Sequence, residues 1–184
     1  MIEVKIPGIR HGRAYIDAAY YKGSFVKRNG VFSQNDIDAL PTGQKSIPGY
    51  ASVGSLKLTQ VTSAAAGQRG TVFPINKLIF KPEDADVSHG VTGDLDLIPA
   101  GSGVIFYQGG QYETDQFLDV SGTAGGDYGD NLEITVSGKL TESAETDEST
   151  QIVAKVIQMT FGDDYTDEVR GYMHDKDLLW YELL

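Results

Sequence analysis

Asn131-Leu132-Glu133-Ile134-Thr135-Val136-Ser137-Gly138 is the stretch that decides the fold class. Leu132, Ile134 and Val136 alternate with Glu133, Thr135 and Ser137. A period of two puts successive side chains on opposite faces of an extended chain, so this is a strand with one apolar and one polar face. Ser137-Gly138 is a turn pair that ends it. Downstream, residues 142–150 form a charged loop rich in Ser and Thr. Residues 152–161 are apolar on both faces (Ile152, Ala154 and Val156; Val153, Ile157, Met159 and Phe161), which predicts a central strand. Residues 178–184 read as a closing strand. Upstream, residues 104–107 and 112–120 read as two strands separated by Gly109-Gly110. Only residues 165–172, with Tyr165, Val169 and Tyr172 at helical spacing, read as a short helix, and Gly171 weakens it.

The first half has weaker patterns. Residues 4–6 form a strand stopped by Pro7-Gly8, and residues 24–27 a strand ended by the turn pair Asn29-Gly30. Ser33 caps one helical turn through Leu40, and Pro41 ends it. Residues 42–70 are a loop with one strand near 55–61. Residues 83–93 are a polar connector and set a boundary. Many short strands with frequent turn signals predict an all-β fold. The expected organisation is a β-rich, loop-rich arm or small domain over residues 1–94. A small β-barrel, β-tulip-like, follows over residues 95–184.

With 40% hydrophobic and 22% charged residues, the 184-residue chain has the composition of a folded protein. Its formal net charge of −11 argues against a nucleic-acid partner, which needs clustered cations. Residues 1–30 run the other way. Lys5, Arg10, Arg13, Lys22, Lys27 and Arg28 stand there against Glu3 and Asp17, a net of +4, which leaves −15 for the rest. Tyr15, Tyr20 and Tyr21 lie in the same segment. Tyr and Arg are enriched where proteins meet. Arg10, Arg13, Tyr15, Tyr20, Tyr21, Lys27 and Arg28 are therefore the expected interface residues, carried on an arm. No run of residues is apolar enough to span a bilayer, and Met1-Ile2-Glu3-Val4-Lys5 lacks the apolar core of a signal peptide. Synthesis in a cytoplasm, with no membrane partner, is the expectation.

Chemistry is scarce. The chain has no cysteine, hence no disulfide or thiolate site. There is no GxSxG elbow and no phosphate loop, and His11, His89 and His174 are far apart. Asp127, Asp130 and Glu133, and the group Asp163-Asp164 with Asp167-Glu168, offer oxygen ligands but no EF-hand spacing. These are read as solvated acids. No enzyme activity and no cofactor are expected.

The segments 98–101 (Ile-Pro-Ala-Gly), 111–117, 126–128, 137–141 and 152–156 together resemble the head-decoration, or cement, proteins of tailed bacteriophages, with a weaker echo at 178–184. The turn at 125–131 is longer than that family's pattern, and 162–177 reads as an insertion. The resemblance implies a small barrel on the outer shell of a virion, with an arm over neighbouring subunits. It implies the major capsid protein or other virion subunits as partners, and a homo-oligomer, a trimer first. A tail or baseplate subunit and a carbohydrate-binding module are the alternative expectations.

Overall fold

A computed structural model describes residues 2–41, 49–77, 97–118, 127–160, 166–167, 172–173 and 178–184. The fold is all-β. Its strands are β1 (Ile2–Ile16), β2 (Tyr20–Tyr21), β3 (Phe25–Val31), β4 (Leu56–Gln60), β5 (Val72–Lys77), β6 (Leu97–Ile98), β7 (Gly103–Thr114), β8 (Asn131–Ile134), β9 (Leu140–Glu142), β10 (Ala154–Thr160), β11 (Thr166–Asp167), β12 (Tyr172–Met173) and β13 (Leu178–Leu183). One short helix, α1 (Gln34–Ala39), follows β3.

Nine of these strands form one sheet in the order β1-β4-β3-β5-β7-β13-β10-β8-β9, and β7 also pairs back with β1. The first five strands therefore close into a ring. Beyond β7 the sheet returns as well. Phe117 makes a parallel bridge to Leu140, and Leu118 N–H donates to the Leu140 carbonyl at 2.7 Å. This second turn of the sheet ties β9 to the continuation of β7. The strand β7 belongs to both loops of the sheet.

Two cores follow from this sharing. Val26, Phe73, Ile75, Val104 and Phe106 face the inside of the ring with Ala14, Ile16, Leu58 and Ile98. Their neighbours Phe25, Val72, Ile105 and Tyr107 point the other way, against Leu132, Ile134, Leu140, Val153, Val156, Leu179 and Tyr181. The start of β3, most of β5 and the first half of β7 are thus buried on both faces, which is why 72–75 and 104–107 read as unbroken apolar runs. Each fully buried Phe or Leu contributes roughly 1.5–3 kcal/mol relative to exposure.

The sheet runs across the 94/95 boundary. Strands from residues 1–94 supply β1, β4, β3 and β5 of the ring, and β7 completes it. Residues 1–30 are not an arm. β1 pairs with β7 from Ile2↔Thr114 to Tyr15↔Gly103, and β3 is central between β4 and β5. Phe25 and Val26 are wholly buried.

Several local expectations change for a common reason. Pro7-Gly8 does not stop the first strand, because β1 is an edge strand there, where proline is tolerated. Gly8 lies so close to Gly109 that a Cβ would sit 2.0 Å from the Gly109 carbonyl oxygen. Gly109-Gly110 does not separate two strands either. Both glycines take left-handed angles (φ 66° and 93°) inside β7. Across them the residues facing the larger core switch from Ile105 and Tyr107 to Tyr112. Asn29-Gly30 likewise falls within β3, at a register shift. Strand β8 ends at Ile134, so Val136 is 59% exposed rather than buried. The turn starts early, with Ser137 at φ 60°, and brings Gly138 against the backbone of Phe25. Residues 166–167 pair antiparallel with 172–173, so these four residues are strand and not part of the helix expected over 165–172; residues 165 and 168–171 lie outside the described residues. Thr166 is β-branched, and Gly171 is a poor helix former.

The expected strands at 55–61, 152–161 and 178–184 are present as β4, β10 and β13, with β10 between β13 and β8. The helix cap is present too. The Ser33 hydroxyl accepts from Asp36 N–H (3.2 Å), and the Asp36 carboxylate accepts from Ser33 N–H (2.8 Å). Residues 78–96, which include the expected connector, lie outside the described residues.

Candidate contact surface

β1 has a long open edge. β7 occupies one side of it throughout, while β4 reaches only Tyr15 and Ile16 on the other. Between residues 2 and 13 no described strand pairs with that second edge. Val4, Ile6 and Ile9 along it are 37%, 53% and 64% exposed. An open apolar edge invites uncontrolled strand pairing. Here it is blunted. Pro7 has no N–H, and Gly8 N–H is engaged by the Tyr112 hydroxyl (3.3 Å), which itself donates to the Gly109 carbonyl (2.7 Å). Register shifts lie between Val4 and Ile6 and between His11 and Ala14. This edge therefore offers side chains, more than free backbone groups, to its surroundings.

Charge reinforces the edge. Lys5 Nζ is 2.9 Å from the Glu113 carboxylate and 3.5 Å from that of Glu3. Burial works to lower the Lys5 pKa, but the hydrogen bond and charge of Glu113, with Glu3, outweigh it and raise it.

At one end of the ring the core opens into a cleft of about 410 Å³ lined by Lys27, Arg28, Gly70, Thr71, Phe73 and Gln108. The Arg28 guanidinium lies 5.7 Å from the ring centres of both Phe73 and Phe106. His11 stacks on Phe106 at 5.0 Å, and its Nε2 is 3.0 Å from Gln108 Oε1. Two cations and no acid line this cleft. It adjoins the β1 edge, because Ile9 is the register partner of Gln108.

The expected interface residues are scattered by the fold. Lys27 and Arg28 come together at the cleft. Arg10 is exposed on β1 opposite Tyr107. Arg13 is in β1, but its side chain lies outside the described ones. Tyr15 packs against the small cluster of Phe32, Leu40 and Ala51. Tyr20 is core, 9% exposed, with its hydroxyl donating to Asp17. Burial, with the Asp17 hydrogen bond, pushes its pKa up to about 12. Tyr21 is 40% exposed beside Leu97, its neighbour's register partner being Ile98. Val4, Ile6, Ile9, His11, Phe73 and Gln108 were not expected at a surface site. The spaced apolar residues within a basic segment were their one local signal.

Among the described residues, no group of three His, Cys, Asp or Glu is arranged to hold a metal ion. Of the acids at 127–133, Asp130 and Glu133 have protein partners. Asp130 accepts from Asp127 N–H (2.7 Å), and Glu133 accepts from the Ser143 hydroxyl (2.7 Å). Asp163 and Asp164 lie outside the described residues. Among the described residues, no helix is long and apolar enough to cross a membrane. No protein-family model matches the chain, and no curated protein or solved structure is significantly similar to it.

Proposed function

We propose that this protein is a structural virion subunit that decorates and stabilises a phage head through protein–protein contacts, with the major capsid protein as its principal partner. The observation that carries the reading is that Val4, Ile6 and Ile9 are exposed on an edge strand blunted against strand addition. A surface of this kind favours a fixed side-chain contact over open-ended polymerisation. Many copies, each bound weakly, reinforce a shell through multivalency. The resemblance of residues 98–184 to cement proteins points the same way.

The test is cryo-electron microscopy of purified particles carrying the protein. Density for it is expected on the outer capsid surface, with the β1 edge against a capsid subunit. Ile6→Asp with Ile9→Asp should strip it from particles while its melting temperature stays unchanged. Its location in the tail, its absence from particles, or full occupancy by the double variant would overturn the reading.

A further inference from the structure

The cleft has an acidic neighbour. Arg69, next to the cleft wall formed by Gly70 and Thr71, clamps the loop after β9. Its backbone N–H donates to the Thr150 carbonyl (2.7 Å), its Nε to that of Ile152 (3.0 Å) and its Nη2 to that of Asp147 (2.9 Å). This loop, residues 143–152, carries Glu145, Asp147 and Glu148, all exposed, just past the exposed Glu142 at the end of β9. Lys155 holds Asp147 at 2.9 Å. Among the described residues, the carboxylates of Glu145 and Glu148 have no cationic partner and neither Lys27 nor Arg28 has an acidic one. Arg69 thus stands between a basic hollow, lined by its chain neighbours Gly70 and Thr71, and an acidic loop to which its side chain is bonded, and the two together form a surface of opposite charges.

Such a face is complementary to itself under a two-fold rotation, which exchanges its two halves. We propose that two copies of this chain pair about an axis near Gln68 and Arg69, the cleft of each receiving Glu145 and Glu148 of the other. Arg28, steadied over Phe73 and Phe106, presents a preset fork to a carboxylate, and Lys27 supplies a second charge. Each contact is made twice in the pair. A nucleic acid is disfavoured as occupant, because it would meet the acidic loop beside the cleft and a chain of net charge −11. This pairing goes beyond the virion reading and does not depend on it.

Sedimentation of the full chain tests the inference, since particle attachment is not involved. A dimer is expected whose dissociation constant rises at least about tenfold between about 0.1 M and 1 M salt, as the screening length falls from about 10 Å to about 3 Å. Lys27→Glu with Arg28→Glu should give monomers, as should Glu145→Lys with Glu148→Lys. All four changes in one chain should restore the dimer. Circular dichroism verifies that each variant is folded. Gln68→Cys, the only thiol in the chain, should oxidise to a covalent pair whatever the fate of the charge variants. A monomer or trimer in place of the dimer, failure of the four-fold swap in a folded chain, or no cross-link through Gln68→Cys would overturn the proposal.

Discussion

Two tyrosines in the larger core separate packing from hydrogen bonding. Tyr112 and Tyr181 are both wholly buried, with ring centres 5.8 Å apart. The Tyr112 hydroxyl bridges the Gly8 N–H and the Gly109 carbonyl, at the place where the backbone departs from regular pairing. The Tyr181 hydroxyl is buried without a hydrogen-bond partner among the described residues. Burial pushes the Tyr181 pKa well above its ordinary value, and Tyr112 adds to the shift. Tyr112→Phe should therefore cost about 1–3 kcal/mol, because it strands two backbone groups. Tyr181→Phe should be neutral or stabilising. Chemical denaturation of the two variants checks this, and equal losses would contradict it. Tyr20 teaches a related point. Its place beside cations suggested a contact residue, yet it is core, because its strand partner Ile98 lies far along the chain.

At the level of elements, the ribbon of β1 and β7 makes distinct demands on its glycines. Gly109 needs only its left-handed angle, since nothing lies within 4 Å of an added Cβ. Gly109→Ala should cost roughly 1–2 kcal/mol of backbone strain. Gly8→Ala must push the two strands apart and should cost more than that. Thermal melts of the two variants rank them. In α1, the hydrogen bonds from the Ser33 backbone and then its side chain, followed by Lys57, lower the Asp36 pKa to about 2. The folded value is depressed below the ordinary 3.8, so the cap contributes fully above that pH and is lost as pH falls through about 2. Asp36→Asn should flatten the helix's acid sensitivity, as read by NMR shifts of residues 33–37. Ser33→Ala should cost about 1 kcal/mol at neutral pH. The cap was legible because its residues are three apart. So were β4, β10 and β13, whose patterns are local. Pro7-Gly8, Asn29-Gly30 and Gly109-Gly110 misled because the same residues that make turns also permit bulges and close approach within a strand. Only the partner strand decides between these uses.

For the whole molecule, the same non-local pairing hid the candidate contact surface. Ile9, His11 and Gln108 meet across 97 positions in the case of His11 and Gln108, and no window of sequence holds both. Deleting residues 1–30 tests the architecture directly. It removes β1 and β3, and with them Phe25 and Val26 from the two cores. The truncated chain should lose its near-ultraviolet signal and aggregate, whereas a detachable arm would leave a melting transition close to that of the parent. The sharing of β7 also has a temporal side. Strands β1, β3, β4 and β5 are all synthesised before it, and Gly8 meets Tyr112 across 104 positions. Distant pairing of this sort slows folding. At about 5–20 residues per second, the ribosome would hold the apolar runs of the first half without a closing strand for several seconds or more. The nascent chain would then depend on a chaperone for that interval, and its yield should follow the speed of translation through residues 78–114.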